Sequence, residues 1–324
     1  MANSSCKAPS ASRQLAFHHL LVAARKTWLF DALKEISGSL DPAELKEQGS
    51  KFIPKASQKV LAAAGIRDEH VFPLPLVLEA RPTLVGYYRL LLGAPQKSFY
   101  AGNTGLGQFR SMEARGTISG KQKLALPEFC RAMAVSLSDL VTQMSPIITP
   151  RELNDLPILT LGAQLQGANN TRIGREASES VFRAVADIVA KQTKKREATK
   201  LYIRNSAGRV VLIILASDPD VSIQETVGEK MHNKVAIEIK GGTDKSNAYN
   251  RAGEAEKSHQ KAKRKGFRDF WTIISTKGVD SATLRNGSPT TTSWFDAAQV
   301  LGKSGDDWDE FRRRIASEVG VPLR

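Results

Sequence analysis

The sequence predicts an α/β chain of the α+β kind: a mixed central sheet flanked by helices, behind a mostly helical N-terminal region. Three observations carry that prediction. Short β-branched runs, VVLIIL (210–215), VAIEI (235–239) and FWTII (270–274), are each bounded by turn residues, which is how strands read. Segments with apolar residues at helical spacing lie between and before these runs, a pattern of sheet-and-helix layers. The first half is helical in spacing and punctuated by Gly and Pro. We place the helical region at about 1–150 and the α/β region at about 151–324.

Bulk composition narrows the function classes. With 324 residues and 41% hydrophobic content, the chain suits one large domain or two joined ones. No apolar stretch approaches the roughly 18 residues of a membrane span. The polar start, MANSSCKAPSASRQ, lacks an apolar signal core, so a cytoplasmic protein away from membranes is expected. Cys6 and Cys130 are the only cysteines, which argues against a disulfide framework or a thiolate zinc site. The net charge of +14 either serves solubility or meets nucleic-acid phosphates; we favour the second.

In chain order, the first dozen residues read as disordered. SRQLAFHHLLVAARKTWLFDALKEI gives one helix or two short ones ending near Gly38. Asp41 is an N-cap with Pro42 in the first turn, and SQKVLAAAG runs to a stop at Gly65. TLVGYYRLLLG reads as a buried helix between Pro82 and Gly93. NTGLGQFRSMEARGTISGKQK reads as a loop, because its glycines lack the lysine and hydroxyl of a phosphate-binding loop. LPEFCRAMAVSLSDLVTQM is another helix.

The run LTLGAQLQGANNTRIG gathers Gln164, Gln166, Asn169, Asn170 and Arg172. Amides and arginine are the groups that read base edges. The alternative, held level with it, is a polar loop capping the next helix at Asn170 or Thr171. That helix is read over about Arg175 to Lys195, with Val181, Val185, Ile188 and Val189 as its apolar stripe. LYIRNSAGRVVLIIL follows as a hairpin with its turn at Asn205 to Arg209.

The chemistry lies in 210–265. The first apolar run leads into Pro219-Asp220. The second carries Glu238 and Lys240, which project from one strand face, while Ile237 and Ile239 point to the other. If these two segments pair, two carboxylates and an ammonium converge. Crowded carboxylates repel unless a cation intervenes, and Mg²⁺ suits oxygen donors of this kind. Lys240 then orients the attacking water or stabilises charge on a phosphodiester. The loop after Lys240 places Lys245, Asn247, Asn250 and Arg251 for DNA. RAGEAEKSHQKAKRKGF is a helix with Ala248, Ala252, Ala255 and Ala262 on a thin apolar face. It leaves Lys257 and its neighbours to solvent or phosphate, and His259 at the surface. FWTIIS is a strand beneath that helix, and the tail packs as WFDAAQVLG and a last helix.

Pro219-Asp220 and Glu238-Ile239-Lys240, in these strand contexts, resemble the PD-(D/E)xK nuclease superfamily. The resemblance implies a restriction-endonuclease-like fold, with Asp220 and Glu238 binding Mg²⁺, the Ile239 carbonyl helping and Lys240 serving the water. It also implies a glutamate from the preceding helix, for which Glu179 is chosen over Glu176. Acidic residues also favour a helix N-terminus without any further role. The segments YYRLLLGAPQKSFYAGNTGLGQF, LTLGAQLQGANNTRIG and VAIEIKGGTDKSNAYNRAGEAEKSHQKAK are similar to the XcyI-type restriction endonucleases. That similarity implies a type II enzyme, a homodimer matching a palindrome, the site CCCGGG cut after the first cytosine, and a cognate DNA methyltransferase in the same system. Guanine readers would be drawn from Arg172, Lys245 and Arg251. The N-terminal region would clamp DNA, build the dimer or support the core. The alternatives are a structure-specific repair or recombination nuclease of the same fold, and a DNA-binding protein that does not cleave.

Overall fold

The computed structural model describes residues 10–102, 104–145, 147–240, 248–276 and 280–323. The chain forms two compact units, Met1–Gly167 and Ala168–Arg324. The first holds α1 (Ser12–Thr27), α2 (Phe30–Ser39), α3 (Pro42–Phe52), α4 (Lys55–Ala63), α5 (Pro75–Ala80), α6 (Val85–Leu91), α7 (Gln96–Tyr100), α8 (Arg110–Arg115) and α9 (Gly120–Met144). Local signals set several of these ends. The Asp41 side chain accepts from Ala43 N, and Ser119 with Gln122 closes a capping box at the start of α9. Helix α6 is buried throughout, as its spacing predicts. The 103–123 stretch is not all loop: α8 forms there because Met112 is fully buried.

Helix α10 (Pro150–Ile188) begins earlier and ends sooner than the sequence suggests. The amide-rich run, expected as a loop in one reading, lies inside it. Apolar anchors explain this: Leu153 and Leu161 are buried in the first unit's core, and Ala177, Val181, Phe182 and Val185 in the second's. The stretch between them holds Gly162, Gly167, Asn169, Asn170 and Gly174, poor helix formers, so it is the anchors at either end that carry it as helix. Past Ile188 the chain makes a short 3-10 turn at Ala190–Gln192, and 193–196 is a strand instead of a helix end.

The second unit is built on a seven-stranded sheet. Its strands are β1 (Thr193–Arg196), β2 (Lys200–Arg204), β3 (Val210–Leu215), β4 (Val221–Val227), β5 (Lys230–Lys240), β6 (Asp269–Ile274) and β7 (Ser293–Asp296). They lie in the order β1-β2-β3-β4-β5-β6-β7. Strands β1 to β5 form an antiparallel meander, and β6 and β7 add parallel, so the sheet is mixed. Helix α11 (Ala248–Arg264) crosses from β5 to β6 and α12 (Ser281–Gly287) from β6 to β7. Helices α13 (Ala297–Gly302) and α14 (Asp306–Val319) close the chain.

Strand alternation sorts the sheet's two faces. Val235, Ile237 and Ile239 join Trp271, Ile273 and residues of α10 and α14 in one core. Ala236 and Phe270 pack with Ala262 and Phe267 on the α11 side. The expected direct pairing of the 210–216 and 235–239 segments does not occur. Strand β4 lies between them and pairs with both. Its apolar alternation stops at Ile223, where Gln224, Glu225 and Thr226 follow, so it announces itself weakly in the sequence. Among the described residues no helix is long and apolar enough to cross a membrane.

Candidate active site

The site forms where β4 begins and β5 ends. Val221 pairs with Ile237 in antiparallel register, so one residue back Asp220 stands across from Glu238. The Ile239 amide donates to Asp220 Oδ2 at 2.8 Å. On β5 the two-residue period puts Glu238 and Lys240 on the α11 face, and Lys240 Nζ donates to Glu238 Oε1 at 2.9 Å. Glu254 of α11 approaches the same ammonium, with Oε2 at 3.7 Å. Asp220 thus immediately precedes β4 instead of ending the run before it, and the meeting with Glu238 comes through the β4–β5 pair.

Burial gives these groups their electrostatics. Glu238 is 4% exposed, and its Oε2 has no hydrogen-bond partner. Its pKa is pushed up to about 7, first by burial and then by the charge of Asp220, against the pull of Lys240 and Ser258. The Asp220 carboxyl is also raised. Burial leads, and the Ile239 amide, Lys240 and Ser178 oppose it. Burial acts to lower Lys240, but Glu238, Asp220 and Glu254 outweigh it and the net shift is upward. The ammonium therefore stays charged, while two close carboxylates resist being ionised together.

This donor set fits a hard divalent ion. Two crowded oxygen anions and an orphaned buried carboxylate oxygen are what such an ion relieves. Among the described residues no group of three or more His, Cys, Asp and Glu side chains is arranged to hold a metal. The described residues thus offer two carboxylates, a count that Mg²⁺ accepts when water and phosphate complete its shell.

Other expected site residues fall elsewhere. The Glu179 carboxylate lies 3.8 Å from Arg175 and 4.0 Å from Arg183 along α10. The residue before it, Ser178, is buried and acts on Asp220. One step along a helix turns a side chain by about 100°, so burying Ser178 turns Glu179 away. Glu176 pairs with Arg172 at 2.6 Å, and Arg172 also donates to Asn169 at 3.0 Å. Gln164 accepts from the buried Arg89 at 3.1 Å, a structural duty inside the first unit. Gln166 and Asn170 are helical and have partners of their own. Asn250 and Arg251 lie in the first turn of α11, and Lys257 is exposed farther along it. Lys245 and Asn247 lie outside the described residues. His259 is fully buried, not at the surface: Nε2 shares a 2.9 Å hydrogen bond with Thr272 Oγ1 on β6. The sequence reading passed over Ser178, Glu254 and Thr272. Thr272 and Glu254 carry a usable signal, since one shares the strand face of Phe270 and Ile274 within an otherwise apolar run and the other sits a helical turn before Lys257.

A mixed sheet that sets Pro219-Asp220 against Glu238-Ile239-Lys240 on adjacent strands defines a nuclease of the PD-(D/E)xK class. Comparison with known proteins sharpens this. The family model for the XcyI restriction endonuclease matches residues 18–322. The type II restriction enzyme XcyI of Xanthomonas campestris pv. cyanopsidis is 40% identical over 322 residues, 98% of this chain and 96% of that protein. The type II restriction enzyme Cfr9I of Citrobacter freundii is 37% identical over 317 residues, 97% of this chain and 96% of that protein. The chain belongs to the XcyI restriction endonuclease family.

Proposed function

We propose that the protein is a type II restriction endonuclease. It hydrolyses both strands of double-stranded DNA at a short palindromic GC-rich site, CCCGGG, after the first C, by Mg²⁺-dependent attack of water that leaves 5′-phosphates. The observation that supports this best is the meeting of Asp220 and Glu238 across β4 and β5, with Lys240 bonded to Glu238 and Glu238 Oε2 unpartnered. The relatives are both called type II restriction enzymes, which supports the substrate class.

In this reading Asp220, Glu238 and the Ile239 carbonyl hold the ion. When bound, it supplies charge stabilisation at the phosphodiester and a lowered pKa for water. The chain's own groups do the rest. The Ile239 amide fixes one Asp220 oxygen, leaving the other to bind. Lys240 keeps its proton and orients the water by donating to it. Burial of Glu238 excludes bulk water from one side. Two copies acting on a palindrome make the working unit a homodimer, and host protection calls for a cognate methyltransferase in the same system. Arg172, Lys245 and Arg251 remain the candidates for guanine contacts.

Plasmid cleavage with and without Mg²⁺ tests the proposal. Asp220→Ala and Lys240→Ala are expected to lower the single-turnover rate by about 10²–10⁴-fold, the scale of losing a positioned catalytic group. A discrete fragment ladder from DNA carrying CCCGGG, absent after cytosine methylation, is expected from a sequence-specific enzyme. Unchanged cutting by either variant rejects the residue roles, and a smear in place of a ladder rejects site specificity.

A further inference from the structure

Among the described residues two carboxylates form ion pairs with Lys240, and one of the two, Glu254, lies outside the proposed ion-binding pair. Lys240 Nζ lies 2.9 Å from Glu238 and 3.7 Å from Glu254. The second carboxylate arrives on α11, and that helix is held firmly against the sheet. His259 is bonded to Thr272 Oγ1, and Thr272 lies in register with Glu238. One turn before His259, Glu256 accepts from Ser288 Oγ at 2.9 Å, from Thr290 N at 3.0 Å and from Thr290 Oγ1 at 2.7 Å. These buried and half-buried bonds fix how far α11 slides along β6, and so where Glu254 stands relative to Lys240.

The charges around Lys240 present a conflict. Glu238 Oε1 is engaged by the ammonium, while Oε2 is buried without a partner. A divalent cation drawn to Glu238 meets an ammonium within hydrogen-bond reach of the same carboxylate, and like charges at such a separation repel strongly in a partly buried site. The ammonium needs a second anionic seat if it is to stay beside the reacting groups. Among the described residues, Glu254 is the other carboxylate in an ion pair with it.

We infer that Glu254 is a positioning residue for Lys240. It takes over the ammonium when Glu238 turns its charge to the divalent ion, so that the lysine is neither expelled from the site nor left competing for Glu238. This rests on the reading of Asp220 and Glu238 as the ion-binding pair. The side chain of Glu254 is 63% exposed, so its replacement leaves the packed core untouched.

The experiment titrates Mn²⁺ into the DNA-free, full-length protein and follows the loss of the free-ion signal by electron paramagnetic resonance. Glu254→Gln is expected to weaken Mn²⁺ binding about twofold to fivefold, the range of a part-exposed ion pair. It is also expected to lower kcat for plasmid cleavage, with metal-free DNA affinity unchanged. Glu254→Asp should recover part of both losses, and Glu254→Ala should match Glu254→Gln. Glu238→Gln serves as the control for the underlying reading and is expected to abolish the binding. If Glu238→Gln binds Mn²⁺ like the parent protein, the ion-binding pair itself is misassigned. If Glu238→Gln loses the ion while Glu254→Gln binds and cleaves like the parent, the role given to Glu254 is overturned and the pair stands.

Discussion

The guanidinium of Arg89 is fully buried, and one carboxylate answers it: Glu113 accepts from Nε at 3.0 Å and from Nη2 at 2.8 Å. Tyr100 and Gln96 donate to the same carboxylate at 2.6 and 3.2 Å. Burial, with the nearby Glu113 charge, holds the Tyr100 phenol well above its ordinary range, so it remains a donor. Removing one partner of such a pair strands the other charge away from water. Glu113→Ala is expected to cost about 3–5 kcal/mol of stability, read as a lower midpoint in urea unfolding. A loss below about 0.5 kcal/mol would mean that Arg89 finds another anion. Nothing local in the sequence reveals this pair, because 24 residues separate its members. Asp220, Glu238 and Lys240 were legible because their motif is short and its apolar flanks mark strands. The expectation for Glu179 rested on less. Composition placed an acid near the right turn of α10, but the helix phase that buries Ser178 was not resolved by a residue-type argument.

Helix α11 joins sequence to site at the scale of an element. Its alanines were legible as a packing face, and Ala252, Ala255 and Ala262 are fully buried. Its polar keying was not legible, since His259 among Lys and Gln reads as solvent-facing. Burial first, with the charge of Lys240 adding and Glu256 opposing, lowers the His259 pKa to about 4 from an ordinary 6.5. Between those values the unfolded chain holds more protons than the native one. The stability that depends on a neutral His259 is therefore complete above about pH 6.5 and is lost as pH falls toward 4. The expected loss approaches about 3 kcal/mol at the acid end, and His259→Gln should flatten that part of the stability profile. An unchanged slope in the variant would assign the acid sensitivity to other groups. Packing gives a second check on this helix. A Cβ added at Gly287, at the end of α12, would stand 2.8 Å from the Ala252 Cβ. Gly287→Ala is thus expected to lower stability by about 1–3 kcal/mol through overpacking, whereas Gly253→Ala, with open space around it, should not destabilise. Two of the strands missed in the sequence, β1 and β4, carry charged or amide residues where apolar alternation would mark a strand. Pairing partners, not intrinsic preference, hold them extended.

For the molecule as a whole, the net charge of +14 is its largest long-range property. Twenty-five per cent of its residues are charged, and many acidic ones are already answered by ion pairs within the units, as Glu225 is by Arg209 and Lys234. The surplus is therefore lysine and arginine, including the exposed Lys257, Lys263 and Arg264 of α11. A surplus that merely keeps the protein soluble and a surplus that grips DNA differ in one observable. Each phosphate neutralised releases condensed counterions, so log K falls with log salt by about 0.9 per phosphate on duplex DNA. With about 6–10 phosphate contacts, affinity is expected to drop by roughly 10³–10⁵ between 50 and 200 mM salt. Measured without divalent ions on a duplex carrying CCCGGG and on a scrambled duplex, the two slopes should be similar, because phosphate contacts position the protein without reading bases. The curves should be offset, because base-edge contacts add affinity at every salt concentration. Coincident curves would mean that the protein grips DNA without reading this sequence. A flat response on both duplexes would mean that the basic surplus does not engage DNA at all.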